Sequence, residues 1–159
     1  MTIGIIVYSQ TGHTLSVAAE LEKVLSAAGQ AVKLEQVEPV GQVRPGTTDV
    51  QLKTKPEIDV YDTLVICSPV WGGTLASPLA SYLGQVASLE GKRVACLITQ
   101  LFPPALGGNQ TLAQMKEICE SKGAIVCGSG GVSWLHLRRK RKIAEVVDSL
   151  SQLFTVGCR

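Results

Sequence analysis

The hexapeptide Ser9-Gln10-Thr11-Gly12-His13-Thr14 joins a short apolar run, Ile3-Gly4-Ile5-Ile6-Val7-Tyr8, to an amphipathic stretch, and this junction constrains the fold more than any other part of the chain. The run is rich in β-branched residues and too short for a helix, so it predicts a buried parallel strand. The stretch that follows places Leu15, Ala18, Leu21, Leu25 and Ala28 at helical spacing, with Gly29 as the terminator. A strand, a tight loop and a helix start then bring three hydroxyls, a glycine and the unpaired N–H groups of the first helical turn to one point. That set suits a phosphate.

The loop carries no lysine, which excludes the Walker pattern of nucleoside triphosphate sites, and no G-x-G-x-x-G occurs to suggest a dinucleotide fingerprint. A phosphate held by neutral donors alone points to a monoester. The plainer reading is that Ser9 and Thr11 only cap an ordinary helix. A second segment separates the two: Ser68-Pro69-Val70-Trp71-Gly72-Gly73-Thr74, which follows another buried-strand pattern, Thr63-Leu64-Val65-Ile66-Cys67. In an open parallel sheet, ligands bind beyond the carboxyl ends of the strands where the winding direction reverses, and the two loops would lie side by side there.

With these two loops in this order, the chain resembles the flavodoxin-like FMN-binding family, which includes flavodoxins and NAD(P)H-dependent FMN oxidoreductases. The resemblance runs from residue 3 to about residue 155. It implies a three-layer, doubly wound α/β sandwich with a five-stranded parallel sheet of order 2-1-3-4-5, and FMN as the cofactor. The FMN phosphate is then expected on Ser9, Gln10, Thr11, Gly12, His13 and Thr14. The isoalloxazine loop is expected at Pro69, Val70, Trp71, Gly72, Gly73 and Thr74, with the Trp71 face on the ring and the two glycines leaving a peptide free to reorient. The rival reading of Trp71 is a core or sheet-edge filler.

A third loop, Thr99 to Asn109, follows the strand pattern Val94-Ala95-Cys96-Leu97-Ile98. By the resemblance it lies against the other flank of the ring, which makes Thr99, Gln100, Gly107 and Gly108 further cofactor-binding candidates. Asn109 or Thr111 is expected to cap the next helix, whose stripe is Leu112, Met115, Ile118 and Cys119. No catalytic side chain and no metal site is expected, since the flavin would carry the chemistry.

Length and pattern agree with one domain over residues 1–159. Ala31 to Glu35 alternates as an edge strand does, Thr74 to Val86 predicts a helix with Pro78 in its first turn, and Ala124 to Cys127 gives the fifth strand. The last helix runs through Ile143, Val146, Val147, Leu150 and Leu153. Residues 38–60 contain Pro39, Pro45 and Pro56 and read as a long polar excursion; the family places a helix here, whereas alternation at Val50 and Leu52 favours a short extra strand. No apolar run is long enough to cross a membrane and no signal-peptide pattern opens the chain, so a cytoplasmic location is expected. The five cysteines show no C-x-x-C and no metal spacing. They are read as unpaired, with Cys67, Cys96 and Cys127 in strands and Cys158 near the tail.

Two rivals with the same topology fail on residue type. A phosphorelay receiver needs acids after the first and third strands, where this chain has Tyr8-Ser9 and Cys67-Ser68, and none of the cysteines precedes an arginine at phosphatase spacing. The formal net charge is +2, unlike the acidic carriers of the family, and positive charge concentrates in Arg138-Arg139-Lys140-Arg141-Lys142. This run is either a solvated helix face or an attractor of an anionic partner, such as an acidic redox protein or the phosphates of NAD(P)H. Nucleic acid is not expected, because no aromatic interleaving accompanies the charge. His13 and His136 are expected at the surface and not as general bases. The functional expectation is a redox protein moving electrons through non-covalent FMN, as a carrier or as an NAD(P)H-dependent reductase of a small acceptor such as a quinone, with a homodimer left open. The alternative is a non-enzymatic binding module of the same fold that lacks useful flavin affinity.

Overall fold

The computed structural model describes residues 2–156. Along the chain the elements are β1 (Thr2–Val7), α1 (His13–Ala27), β2 (Ala31–Gln36), β3 (Glu38–Pro39), β4 (Leu52–Thr54), β5 (Thr63–Trp71), β6 (Thr74–Leu75), α2 (Ser77–Gln85), β7 (Arg93–Gln100), α3 (Gly108–Ser121), β8 (Ile125–Ser133) and α4 (Arg139–Val156). The five long strands are parallel neighbours in the order β2-β1-β5-β7-β8. With the three short strands set aside, this is the expected 2-1-3-4-5 order. Winding reverses between β1 and β5, so the loops after these strands open side by side.

Both sheet faces are covered, which explains why the central strands are almost continuously apolar. On one face Ile3, Ile5, Val7, Val65 and Leu97 pack against Val17, Leu21 and Leu25 of α1 and Val147, Leu150 and Phe154 of α4. On the other, Ile6, Leu64, Ile66 and Ile98 meet Leu79 and Leu83 of α2 and Met115 and Cys119 of α3. Each fully buried aliphatic side chain contributes on the order of 1.5–3 kcal/mol. In α1 the buried stripe runs through Thr14, Val17, Ala18, Leu21 and Leu25, while Ala28 is the C-cap.

Several boundaries differ from the sequence reading. β5 continues past Cys67 to Trp71 and turns back through Gly72 and Gly73 to pair with β6, with Trp71 opposite Thr74. Both glycines have positive φ, 57° and 79°, as a tight hairpin turn requires. The next helix therefore starts at Ser77, not Thr74. The fifth strand is also longer than expected, because Gly128, Gly130 and Gly131 are strand residues. A Cβ at Gly128 would lie 2.6 Å from Leu153 Cδ1, and one at Gly130 2.7 Å from Val146 Cγ1. These glycines let α4 press onto β8, a tertiary reason that a local propensity reading misses.

Residues 38–60 contain the extra strand and not a helix: β3 and β4 form a two-stranded antiparallel ribbon. The segment is tied down by Tyr82, whose hydroxyl donates to the Pro56 carbonyl, and by Ser81, whose hydroxyl donates to the Val50 carbonyl at 3.0 Å. Cys67, Cys96 and Cys119 are buried free thiols. Cys127 overturns the expectation of unpaired cysteines: it is disulfide-bonded. It is also the residue skipped where the β7–β8 register shifts, so it sits on an irregularity in the strand. Cys158 lies outside the described residues. No helix among the described residues is long and apolar enough to cross a membrane.

Candidate cofactor site

At the switch between β1 and β5 the loop after β1 folds around Gly12, which takes φ 92° and is the N-cap of α1. No side chain caps this helix. Its first-turn N–H groups therefore open toward the loop mouth. The Ser9 hydroxyl accepts the Gly12 N–H at 3.1 Å, which leaves the Ser9 O–H proton available to a further acceptor. Gln10, Thr11 and Gly12 are exposed. A Cβ at Gly12 would meet nothing within 4 Å, so the glycine answers to backbone conformation and not to crowding.

Thr14 departs from the sequence reading. Its side chain is buried, and its hydroxyl pairs at 2.6 Å with that of Thr99, also buried, at the end of β7. The hydroxyl counted as an anion donor instead locks the first loop to the third.

The three loop segments converge on a cleft of about 160 Å³ walled by Gln10, Thr11, His13, Thr14, Pro69, Val70, Trp71, Thr99, Gln100 and Leu101. Ser9 and Gly12 belong to the same loop but not to the wall, and Gly72, Gly73, Thr74, Gly107 and Gly108 also stand outside it. The outer glycines serve a close approach. A Cβ at Gly107 would lie 2.6 Å from the Gly73 Cα, so the hairpin turn and the start of α3 touch backbone to backbone. Gly107, at φ 103°, is the N-cap of α3, and the Thr111 hydroxyl donates to its carbonyl at 2.8 Å. Neither Asn109 nor Thr111 takes the expected cap position. Gly108 is small for another reason: a Cβ there would fall 2.3 Å from Gln100 Oε1.

Gln100 is about nine-tenths buried. Its Nε2 donates to the Phe102 carbonyl, and its Oε1 has no hydrogen-bond partner. A buried acceptor left unpaired costs about 1–3 kcal/mol. Trp71 is half-buried, packs against the core and meets Tyr8 edge-on with ring centroids 5.5 Å apart. It thus lines the cleft and fills the top of the core at once. Burial pushes the Tyr8 phenol above its ordinary range, which keeps it neutral.

Trp134, at the end of β8, was missed by the sequence reading. The His13 imidazole stacks on it with centroids 4.0 Å apart and planes 11° from parallel. The Arg139 guanidinium sits over the same indole at 4.7 Å and donates to the Trp134 carbonyl at 2.9 Å. His13 is accordingly half-buried, and the start of the basic run reaches the phosphate-loop side of the molecule. The only signal in the sequence was an aromatic residue five positions before an arginine. Trp134 is not itself a wall of the cleft; Leu101, the one wall residue not singled out, lies in the Thr99–Asn109 loop expected against the ring. His136 is exposed, and its Nδ1 accepts the Arg138 N–H at 3.0 Å.

A larger furrow of about 540 Å³ runs between α1 and α4, with Glu20, Val24, Ile143 and Val147 among its walls. It shares no wall residue with the switch-point cleft. Among the described residues, no three His, Cys, Asp or Glu side chains group as a metal site.

The fold and this switch-point cleft define a flavodoxin-like protein architecture. Neither a protein-family model nor a curated protein matches the sequence. Solved structures do match. Oxidised flavodoxin 1 from Bacillus cereus superposes with a TM-score of 0.71 at 15% identity, over 100% of both chains. Two-electron reduced flavodoxin from Megasphaera elsdenii gives 0.65 at 20% identity, over 93% of this chain and 99% of the other. A flavoprotein from Lactobacillus acidophilus NCFM, solved in complex with FMN, gives 0.62 at 20% identity, over 91% and 97%. At these identities the likeness establishes the fold.

Proposed function

We propose that the switch-point cleft holds FMN without a covalent bond and that the protein moves electrons through it to a partner. The observation that carries this reading is the convergence of the Ser9–Thr14, Pro69–Trp71 and Thr99–Leu101 segments on one cleft at the β1/β5 switch. When bound, FMN supplies the electron chemistry, and the protein supplies binding, orientation and tuning.

The residues present fit such a ligand. The uncapped start of α1, the exposed Thr11 and the free Ser9 proton offer neutral donors for a phosphate monoester. The unpaired Gln100 Oε1 is a buried acceptor on the third segment, suited to an N–H on the polar edge of a flavin ring. Trp71 and Val70 give an apolar wall that keeps water from one flank. Two further features belong to this reading: the left-handed Gly72-Gly73 turn, which leaves its peptide free to reorient beside a ring, and Arg139 on Trp134, which adds positive charge near the phosphate end.

The structures solved at this fold include flavodoxins and one flavoprotein bound to FMN, which supports the ligand class. An electron carrier and an NAD(P)H-dependent reductase differ in donor. We assign the carrier role, because exposed apolar side chains border the cleft where a protein partner would approach. Anaerobic addition of NADH or NADPH to the FMN-loaded protein tests it: no bleaching of the flavin absorbance on the scale of seconds is expected, and rapid bleaching by either nucleotide makes the protein a reductase.

A further inference from the structure

We propose that the rim formed by the Leu101-Phe102 and Leu135–Arg138 segments is the docking surface for an acidic protein, the electron partner of the FMN reading, on which this inference rests. Two independent features of the structure meet on this rim.

The first is exposed apolar surface. Leu101, Phe102 and Leu135 are each about half exposed or more, and Leu137 is fully exposed. They are not scattered. The Leu135 N–H donates to the Leu101 carbonyl at 3.2 Å, and the Ser133 hydroxyl donates to the Phe102 carbonyl at 2.9 Å, so the two loops form one continuous edge. Leu101 is also a wall of the cleft, which brings this edge to the place where electrons would leave. Grouped exposed apolar side chains bordered by polar residues mark interaction sites, whereas single ones need no explanation.

The second is uncompensated positive charge. α4 begins within Arg138–Lys142, and its first turn has no acidic residue. Four cations at the positive end of a helix dipole oppose the helix. Of the run, Arg141 alone forms an ion pair among the described residues, with the exposed Glu145 at 3.3 Å. A recess of about 640 Å³ opens beside Leu135 and Leu137, and its walls include Arg138, Arg139, Lys140 and Arg141 but no carboxylate. Arg139 is held on Trp134 and Arg141 on Glu145, while Arg138 and Lys140 form no ion pair among the described residues, and an acidic partner would supply one.

Charge selects the occupant. A second copy in a two-fold pairing across this rim would set the same basic runs against each other, since an isologous interface joins a patch to itself. An acidic protein pairs its carboxylates with Arg138 and Lys140 while its apolar centre covers Phe102 and Leu137, the usual arrangement of an apolar core and a polar rim.

The test uses the full chain loaded with FMN, reduced with dithionite under argon and mixed with one of two probes: a basic cytochrome c, or the same cytochrome c with its lysines succinylated. In each, one electron passes from the flavin to a ferric haem, which becomes ferrous. The succinylated probe is expected to be reduced about ten-fold faster at low salt and to slow as salt rises, while the native probe does not. The double variant Arg138→Glu/Lys140→Glu should reverse that preference. The double variant Phe102→Ser/Leu137→Ser should slow the succinylated probe at both salt levels and leave its salt slope intact. Faster reduction of the native probe, or no salt dependence for either, overturns the proposal.

Flavin loading is measured by absorbance before mixing, so a chain that takes no flavin fails the FMN reading and not this one. Docking is then read by calorimetric titration of the flavin-free chain with the succinylated probe. Salt-sensitive association lost in Arg138→Glu/Lys140→Glu supports the surface, and no association overturns it. Tighter binding to vesicles of phosphatidylserine and phosphatidylcholine, or to a DNA duplex, than to the succinylated probe also overturns it in favour of a lipid or nucleic-acid surface.

Discussion

The Ser9–Gly12 turn of the first loop holds its shape by local means: a left-handed glycine, a serine hydroxyl accepting an N–H three residues on, and a helix start with no capping side chain. The Thr99–Gly108 segment on the opposite side of the cleft holds its shape by contacts distant in sequence. Thr99 pairs with Thr14, Gly107 lies against Gly73, and Gly108 makes room for Gln100. Two walls of one cleft are thus built by different physics. The first depends chiefly on its own backbone, and the second couples the site to the fold.

The largest expected effect separates these directly. Gly107→Val adds a Cβ where the Gly73 Cα is 2.6 Å away and forces a β-branched residue to φ 103°. It should cost about 3 kcal/mol or more of folding stability and weaken FMN binding with it, read as a fall in denaturation midpoint and in flavin affinity together. A fully stable variant would show that the backbone contact is not close-packed. Gly12→Val should behave differently. No atom crowds the position, so the strain of the left-handed backbone costs the fold about 1–2 kcal/mol, while flavin affinity should drop about a hundred-fold. Fluorescence titration beside a urea melt separates the two; equal affinity to the parent would remove Ser9–Thr14 as the phosphate cradle.

Thr99→Val keeps the shape and deletes one hydroxyl, leaving the buried Thr14 hydroxyl without its partner. A loss of about 1–3 kcal/mol is expected. An unchanged melting temperature would mean that the two loops are not coupled through this bond.

Tyr61→Phe, away from both loops, sets the baseline. Tyr61 lies beneath Gly4, where a Cβ would be 2.6 Å from its ring, and its hydroxyl donates to Glu35 at 2.6 Å. Burial first, then this bond and the Glu35 charge, push the phenol up to about 12. Its neutral form is favoured by folding, so that stabilisation is complete below about pH 10, where an unfolded tyrosine ionises, and is lost as pH rises toward about 12. The variant should show a shallower loss of stability across that window, with Tyr8 and Tyr82, both also raised chiefly by burial, contributing to the slope that remains. A slope equal to the parent's would contradict this.

The same contrast explains what was legible in the sequence. Strand-forming runs such as Ile3–Val7, the helical stripes and the Ser9–Thr14 loop were readable because period and local backbone chemistry define them. The cap of α3, the full length of β8 and the start of α2 were not. Each depends on a partner far along the chain: Gly107 on Gly73, Gly128 on Leu153, and Thr74 on Trp71 across the hairpin. The site followed the same division. Ten residues wall the cleft, and all but Leu101 were expected there. The expected role of Thr14 as an anion donor gave way to a buried bond, and the stacking of His13 on Trp134 was invisible because 121 positions of chain separate the rings.

FMN titration of the purified flavin-free chain, followed by quenching of flavin fluorescence, tests the central claim most directly. Saturable one-to-one quenching, abolished in Gly12→Val and retained in Tyr61→Phe, is the predicted result. Flavin fluorescence unchanged by excess folded protein would contradict the account and leave a flavodoxin-like fold whose switch-point cleft serves another ligand.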